Sequence, residues 1–440
     1  MPLYAFYGDD FTGSTDVLEQ LAEGGVPAVL FLRPPDAALR ARFPDARAYG
    51  LAGDSRSRSP EWMDANLPAD FACLAEAGLV HYKTCSTFDS SPDTGSIGRA
   101  LEIGLRCFGG PAAIVVGAPH LRRYVLFGNL FAAQGPDVFR IDRHPTMSRH
   151  PVTPMHEADL LRHLAAQTGT ATALIPLDRI RAGEAECAFD AAMGQAQAVL
   201  FDGLEMDDLA ATGRLILSRA LRFAVGSSGV TRAMVLAWRE AGLIGNEPLA
   251  ATAPEVDRLL VVSGSCSPAT AAQIRRGVED GYRAAMADVR ALLRGEQAEE
   301  ERLVAMAARI LGEGGRCVIH SAEGPLGDAA QAAGDRLGAA LGRVAAGAIR
   351  AAGLRRVLFA GGDTSSHAVA QLGIDALVWA APLERGAPLV RASAADPLID
   401  GLELVLKGGQ IGGEDFFEVV RQGGQPSPAL PRVVSGGGRA

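Results

Sequence analysis

One rhythm recurs along this chain: a short apolar run, a tight cluster of Gly, Ser, Thr and Asp, then an Ala/Leu/Arg-rich stretch with apolar residues at helical spacing. Clear apolar runs are Tyr4 to Tyr7, Ala28 to Leu32, Ala113 to Val116, Ala198 to Phe201, Leu259 to Val262, Cys317 to His320 and Val357 to Ala360. Runs this short and uniformly apolar read as strands covered on both faces, and a helix between successive strands is the crossover that parallel pairing requires. The rhythm predicts an α/β protein with mostly parallel sheets.

A chain of 440 residues exceeds one ordinary core, so two α/β domains with a ligand cleft between them are expected. The pattern breaks at Gly242-Leu243-Ile244-Gly245-Asn246-Glu247-Pro248 and Ala253-Pro254, just before the run at Leu259. This places an N-terminal domain over 1–245, a C-terminal domain over 255–422 and a flexible Gly/Pro-rich tail over 423–440. The 42 basic residues against 51 acidic ones leave a net charge of −9, which argues against a nucleic-acid partner. The amino terminus lacks a basic, apolar leader, and no stretch approaches the roughly 18 uninterrupted apolar residues of a membrane span. Six scattered cysteines without a CxxC pair argue against a zinc ribbon or a disulfide framework. A cytoplasmic protein with no membrane partner is the expectation, and homo-oligomerisation is left open.

Only two of the 42 basic residues are lysines, Lys83 and Lys407, and both sit among Gly, Ser and Thr. A compact ammonium and a planar guanidinium are not interchangeable, so a site shaped around an ammonium resists the replacement made everywhere else. Both lysines are read as ligand contacts, with chance survival as the competing explanation.

Ligands of open α/β sheets lie beyond the carboxyl ends of strands, where helix amino termini present free N–H groups. In the second half, Ser263-Gly264-Ser265-Cys266-Ser267-Pro268 offers hydroxyls and a capped helix start, with Pro268 suited to the first helical position. Gly361-Gly362-Asp363-Thr364-Ser365 lets a phosphate chain approach the backbone and could hold hydrated magnesium. The loop Lys407-Gly408-Gly409-Gln410-Ile411-Gly412-Gly413 is the third cluster. Three such loops favour a polyphosphate site, although none matches a P-loop. Ser263, Ser265, Gly361, Gly362, Asp363, Thr364, Lys407, Gly408 and Gly412 are the expected nucleotide contacts.

In the first half, Gly8-Asp9-Asp10-Phe11-Thr12-Gly13 puts two carboxylates side by side, which demands a cation, a hydroxyl-rich ligand or a shared proton. Lys83 leads a second cluster with Ser86, Thr87 and Asp89. A lysine among hydroxyls and acids suits a small anionic polyol such as a sugar acid. Asp9, Asp10, Lys83, Ser86, Thr87 and Asp89 are the expected substrate contacts, with Asp10 as the catalytic base. His144 and His156, in a proline-rich crossover, fit no metal-ligand spacing, and the metal ligands remain unassigned.

Taken in order, Gly8 to Gly13 with Asp16, His150 to Met155, Ser263 to Ser267 with Thr270 and Gln273, Gly361 to Ser365, and Leu406 to Gly409 with Gly412 and Asp415-Phe416-Phe417 resemble the four-carbon acid sugar kinase family. The resemblance implies a sugar-acid-binding amino-terminal domain, a nucleotide-binding carboxyl-terminal domain and ATP, with Mg2+, phosphorylating a hydroxyl of a tetronate or 3-oxo-tetronate. It also implies that Ser265, Gly361 to Thr364 and Gly408 contact ATP, while Asp9, Asp10 and Lys83 line the acid site. Where many members read Lys-x-Asp-Ser-Thr-x-Arg-Gly, this chain reads Lys83-Thr84-Cys85-Ser86-Thr87-Phe88-Asp89-Ser90, and Ser14 replaces the usual alanine. Those departures imply a retuned pocket, suited to a branched acid of the 3-oxo-isoapionate type. An NAD-dependent sugar-acid dehydrogenase is the alternative, weakened by the lack of a GxGxxG turn with an acid about twenty residues on. A sugar-acid sensor would need a DNA-binding module, and no basic helix is present.

Overall fold

The computed structural model describes residues 2–150, 152–321 and 334–424. The expected tail from 425 to 440 lies outside the described residues, whereas Gly423 and Gly424 close the last helix through N–H bonds to Val420 and Val419. The first-half strands are β1 (Tyr4–Gly8), β2 (Ala28–Phe31), β3 (Ala48–Ala52), β4 (Leu79–Lys83), β5 (Ala112–Val115), β6 (Arg123–Leu126), β7 (Asn129–Gln134), β8 (Asp137–Arg140), β9 (Thr172–Ile175), β10 (Ala198–Phe201) and β11 (Phe223–Gly226). The second half adds β12 (Leu260–Ser263), β13 (Arg283–Met286), β14 (Cys317–His320), β15 (Arg356–Ala360), β16 (Ile374–Glu384), β17 (Ala387–Ala394) and β18 (Glu403–Lys407). The expected strands are all present, with ends within one residue of the apolar runs.

Among the described residues fifteen strands form one sheet in the order β13-β14-β12-β15-β18-β17-β16-β2-β3-β1-β4-β11-β5-β10-β9, and β6 to β8 form a separate antiparallel meander. All neighbours in the first-half part of the large sheet pair in parallel, as do β13, β14, β12, β15 and β18. The two parallel sets are joined edge to edge through the β16–β17 hairpin, with β2 antiparallel to β16 and β17 antiparallel to β18. The expected pair of sheets is therefore one continuous sheet. The bridge was missed because an antiparallel hairpin between two parallel sets leaves no trace in the strand-helix rhythm.

Helices cover both faces. The first, α1 (Phe11–Glu23), packs on β1, β2 and β3, on the Ser228–Glu240 helix, and across the junction on β16, β17 and the Gly362–Ala370 helix. Val17, Leu18 and Leu21 of α1 are wholly buried and belong to the same apolar cluster as Val344, Val369 and Leu377 of the second half. At about 1.5–3 kcal/mol for each fully buried aliphatic side chain, this seam is a substantial tie between the halves. Between Ala241 and Leu259 the chain forms neither helix nor strand. No described helix is long and apolar enough to cross a membrane.

Candidate functional site

Parallel register sets Gly8 beside Lys83, Lys83 beside Gly226, and Gly226 beside Val115, so β1, β4, β11 and β5 end in one row. Asp9 and Asp10 leave that row directly. Asp10 caps α1, accepting the Gly13 N–H at 2.5 Å. The cation that two adjacent acids require is Arg56, on the loop after β3. Its guanidinium lies 2.7 Å from Asp10 and donates to both carboxylate oxygens of Asp89 at 2.9 Å.

The two acids are held in different states. Burial, reinforced by the charge of Asp10, pushes Asp9 up to about 7, and its Oδ1 is enclosed without a hydrogen-bond partner among the described residues. Burial acts on Asp10 in the same direction, but Arg56, Lys83 and the Gly13 N–H outweigh it and leave that carboxyl below its ordinary range. Lys83 is almost wholly buried, donating to the Thr84 carbonyl at 2.9 Å and lying 3.6 Å from Asp16.

Asp89, expected to touch substrate, has a fully enclosed side chain. Besides Arg56 it accepts the hydroxyls of Thr87 and, at 2.8 Å, Thr153. It holds Arg56 rather than facing the open edge. Ser86 stays half-buried at the rim. His144 accepts backbone N–H groups of Thr146 and Met147, a structural task, and His156 is exposed.

Several groups at this edge were not anticipated. Arg56 sits in Asp54-Ser55-Arg56-Ser57-Arg58, where a basic alternation after a strand was the available signal. Thr153 lies in the His150 to Met155 stretch, where nothing local marks it as a partner of Asp89. Gly226-Ser227-Ser228-Gly229 is a sixth strand end rich in small polar residues, with Ser227 capping the Ser228–Glu240 helix. His120, beyond β5, is kept neutral by burial and by the nearby cations Arg232, Arg385 and Lys83, which pull it down to about 3.

The second-half loops also meet at one edge. Ser263 pairs with Ala360 and with His320, and Ala360 with Lys407. Ser267 caps the Pro268–Glu279 helix, accepting the Thr270 N–H at 3.1 Å, as expected from Ser-Pro. The Ser267 hydroxyl donates to the Gly409 carbonyl, and that of Thr270 does so at 2.8 Å. Gln273 Nε2 lies 3.0 Å from each of the Ile411, Gly412 and Gly413 carbonyls, fastening the glycine loop to this helix.

A Cβ on Gly264 would meet Thr364 Oγ1 at 2.0 Å, and Gly361 has φ +115° with Ser265 N only 3.2 Å from where its Cβ would stand. Only glycine permits the first two loops to touch this closely. Gly361 and Gly362 open the Gly362–Ala370 helix, and the Gly361 N–H bonds the Lys407 carbonyl at 2.9 Å. The side chain of Asp363 lies outside the described residues. Lys407 is fully buried, 3.0 Å from Thr270 Oγ1, and burial pushes its ammonium down to about 8. Ser263, Ser265, Gly361, Gly362, Thr364, Lys407, Gly408 and Gly412 thus converge on one edge bearing two helix amino termini. Such an edge can bind a polyphosphate, while the first-half edge can bind an acid and accept a proton.

Sequence comparisons divide along the same line. A sugar-binding N-terminal domain matches residues 4–234, and a nucleotide-binding C-terminal domain matches residues 260–417. A 3-oxo-isoapionate kinase of Paraburkholderia graminis is 46% identical, the alignment covering 96% of this chain and 94% of that one. The chain belongs to the four-carbon acid sugar kinase family. A 3-oxo-tetronate kinase of Cupriavidus necator is 32% identical over 96% of this chain and 97% of its own. A solved structure from Salmonella typhimurium LT2 superposes with TM-score 0.79 at 25% identity, covering 96% of this chain and 99% of that one. As a member of the four-carbon acid sugar kinase family, the protein is an ATP-dependent kinase that phosphorylates a hydroxyl of a small sugar acid. Nothing supports the dehydrogenase alternative.

Proposed function

We propose that the acceptor is a branched 3-oxo acid of the 3-oxo-isoapionate type. The observation that carries this reading is the 46% identity to a kinase named for that acid, against 32% to one named for 3-oxo-tetronate. The Cys85 and Asp89 departures support a pocket altered in the same region. Release of ADP with a panel of branched and unbranched four- and five-carbon acids, each as the 3-oxo and the reduced form, tests it. Preference for the branched 3-oxo acid is expected, and equal turnover of 3-oxo-tetronate would overturn it.

In this reading Lys83 binds the acid's carboxylate, and Arg56, steadied by Asp89, fixes the polyol with Asp10. Asp9 rather than Asp10 takes the proton of the attacking hydroxyl. A base works best when its proton affinity matches the working pH, and Asp10 is committed to a helix cap and an ion pair. The triphosphate lies along Ser265, Gly361 to Thr364 and Gly408, with Lys407 neutralising it.

Mg2+ would arrive with the nucleotide. No cluster of three or more His, Cys, Asp or Glu suited to a metal exists among the described residues. Phosphate oxygens, water and the Thr364 hydroxyl fit a hydrated magnesium ion. Bound there, the ion would neutralise phosphate charge. Dependence on cellular ATP agrees with a cytoplasmic location.

A further inference from the structure

The turn of the β16–β17 hairpin, Glu384-Arg385-Gly386, belongs to neither cluster described above, yet it lies between them. The Gly386 N–H donates to Glu19 of α1 at 2.8 Å, pinning the turn to the helix whose amino terminus Asp10 caps. Asp16, the partner of Lys83, precedes Glu19 by three residues on the same face, about 4.5 Å along the axis. On its other side the turn touches the nucleotide-side loop: a Cβ on Gly386 would stand 3.3 Å from Ile411 Cδ1, and one on Gly408 would stand 3.6 Å from the same atom. Arg385 is exposed, and its guanidinium is in ion-pair contact with no carboxylate among the described residues. Its charge is nevertheless felt at His120 and Glu19, both on the acid side.

We propose that Arg385 is a catalytic arginine, carried by the nucleotide half, whose guanidinium holds the phosphoryl group in flight between the two edges. A planar fork with several donors suits three equatorial oxygens whose charge must be stabilised only in the transition state. The acid's hydroxyl oxygen forms the new bond to the γ-phosphorus as the bond from that phosphorus to the β,γ-bridging oxygen breaks. The hydroxyl proton passes to Asp9, and ADP leaves with the electron pair. The proposal rests on the acid lying at the Asp9/Lys83 edge and the nucleotide at the Lys407 edge.

The test compares wild type with R385Q, R385K and R385A, using whichever acid the wild-type enzyme turns over. R385Q is expected to lose about 100- to 1000-fold in kcat with KM for ATP and acid within threefold, and R385K to recover little of it. Millimolar guanidinium should partly rescue R385A, which a merely structural role would not allow. In a second arm that needs no acid, R385Q should bind ADP as wild type does but bind ADP–aluminium fluoride at least tenfold more weakly. A kcat within threefold of wild type, or a raised KM for acid with unchanged kcat, overturns the proposal. The premise fails separately, if K83M raises KM for ATP or K407M raises KM for acid.

Discussion

Replacing Asp9 by Asn separates a buried base from a structural acid. In the folded protein the carboxyl is pushed from 3.8 to about 7, chiefly by burial. At 1.36 kcal/mol per pH unit that difference is worth at most about 4 kcal/mol. Between roughly pH 4 and 7 the folded state binds the proton more tightly than the unfolded state does, so this group's contribution to stability falls as pH rises and stays low above 7. Asn carries no proton to lose. Relaxation around the amide should leave about half the effect, so D9N should gain about 2 kcal/mol on wild type between pH 4.5 and 8.5. Urea unfolding followed by tryptophan fluorescence at several pH values reads this difference, and titrations elsewhere largely cancel in it. Wild-type kcat should rise with pH until about 7, whereas D9N should show a flat profile about 100- to 10,000-fold lower. Parallel stability curves for the two proteins would refute the buried proton, and D9N activity above a tenth of wild type would refute its catalytic use.

Lys407→Met should raise KM for ATP about 10- to 100-fold and leave KM for acid unchanged in steady-state assays. In wild type, ATP affinity measured by calorimetry should weaken above about pH 8, where burial lets the Lys407 ammonium lose its proton. Lys83→Met should raise KM for acid far more than KM for ATP; equal effects would count against Lys83 as the carboxylate's partner. Gln273→Leu removes the donor shared by three loop carbonyls and should raise KM for ATP about tenfold at unchanged KM for acid, read in the same assays.

Strand positions were legible because strands buried on both faces must be apolar throughout, and the loops after them must be small and polar to leave helix starts free. The rarity of lysine led directly to the last residues of β4 and β18. Partnership across the chain was not legible. Nothing local announces that Arg56 spans Asp10 and Asp89, since that contact exists only once β3 lies beside β1. The partners of Asp89 were not legible for the same reason: an acid in a hydroxyl-rich loop looks like a ligand contact, and its donors Arg56, Thr87 and Thr153 come together only in the folded chain. The split between Asp9 and Asp10 depends on which acid meets the guanidinium and which is walled in, and two identical neighbouring residues carry no sequence signal for that.

The β16–β17 bridge also resolves a geometric difficulty of its own making. Because β2 runs antiparallel to β16, the first-half strands point opposite to β12, β15 and β18, and on a flat sheet their carboxyl ends would open on opposite edges. Sheets twist by about 20–25° per strand. Six steps separate β4 from β18 and likewise β1 from β15, so twist turns one set through about 120–150° relative to the other. Added to the reversal, a twist of that size predicts strand directions within about 30–60° of each other, with the carboxyl edges on a common side. The packing of α1 against the Gly362–Ala370 helix agrees with this, since each follows a strand whose carboxyl end carries one of the two clusters. Facing edges are what direct phosphoryl transfer requires, and the turn joining the two inserted strands is where Arg385 sits.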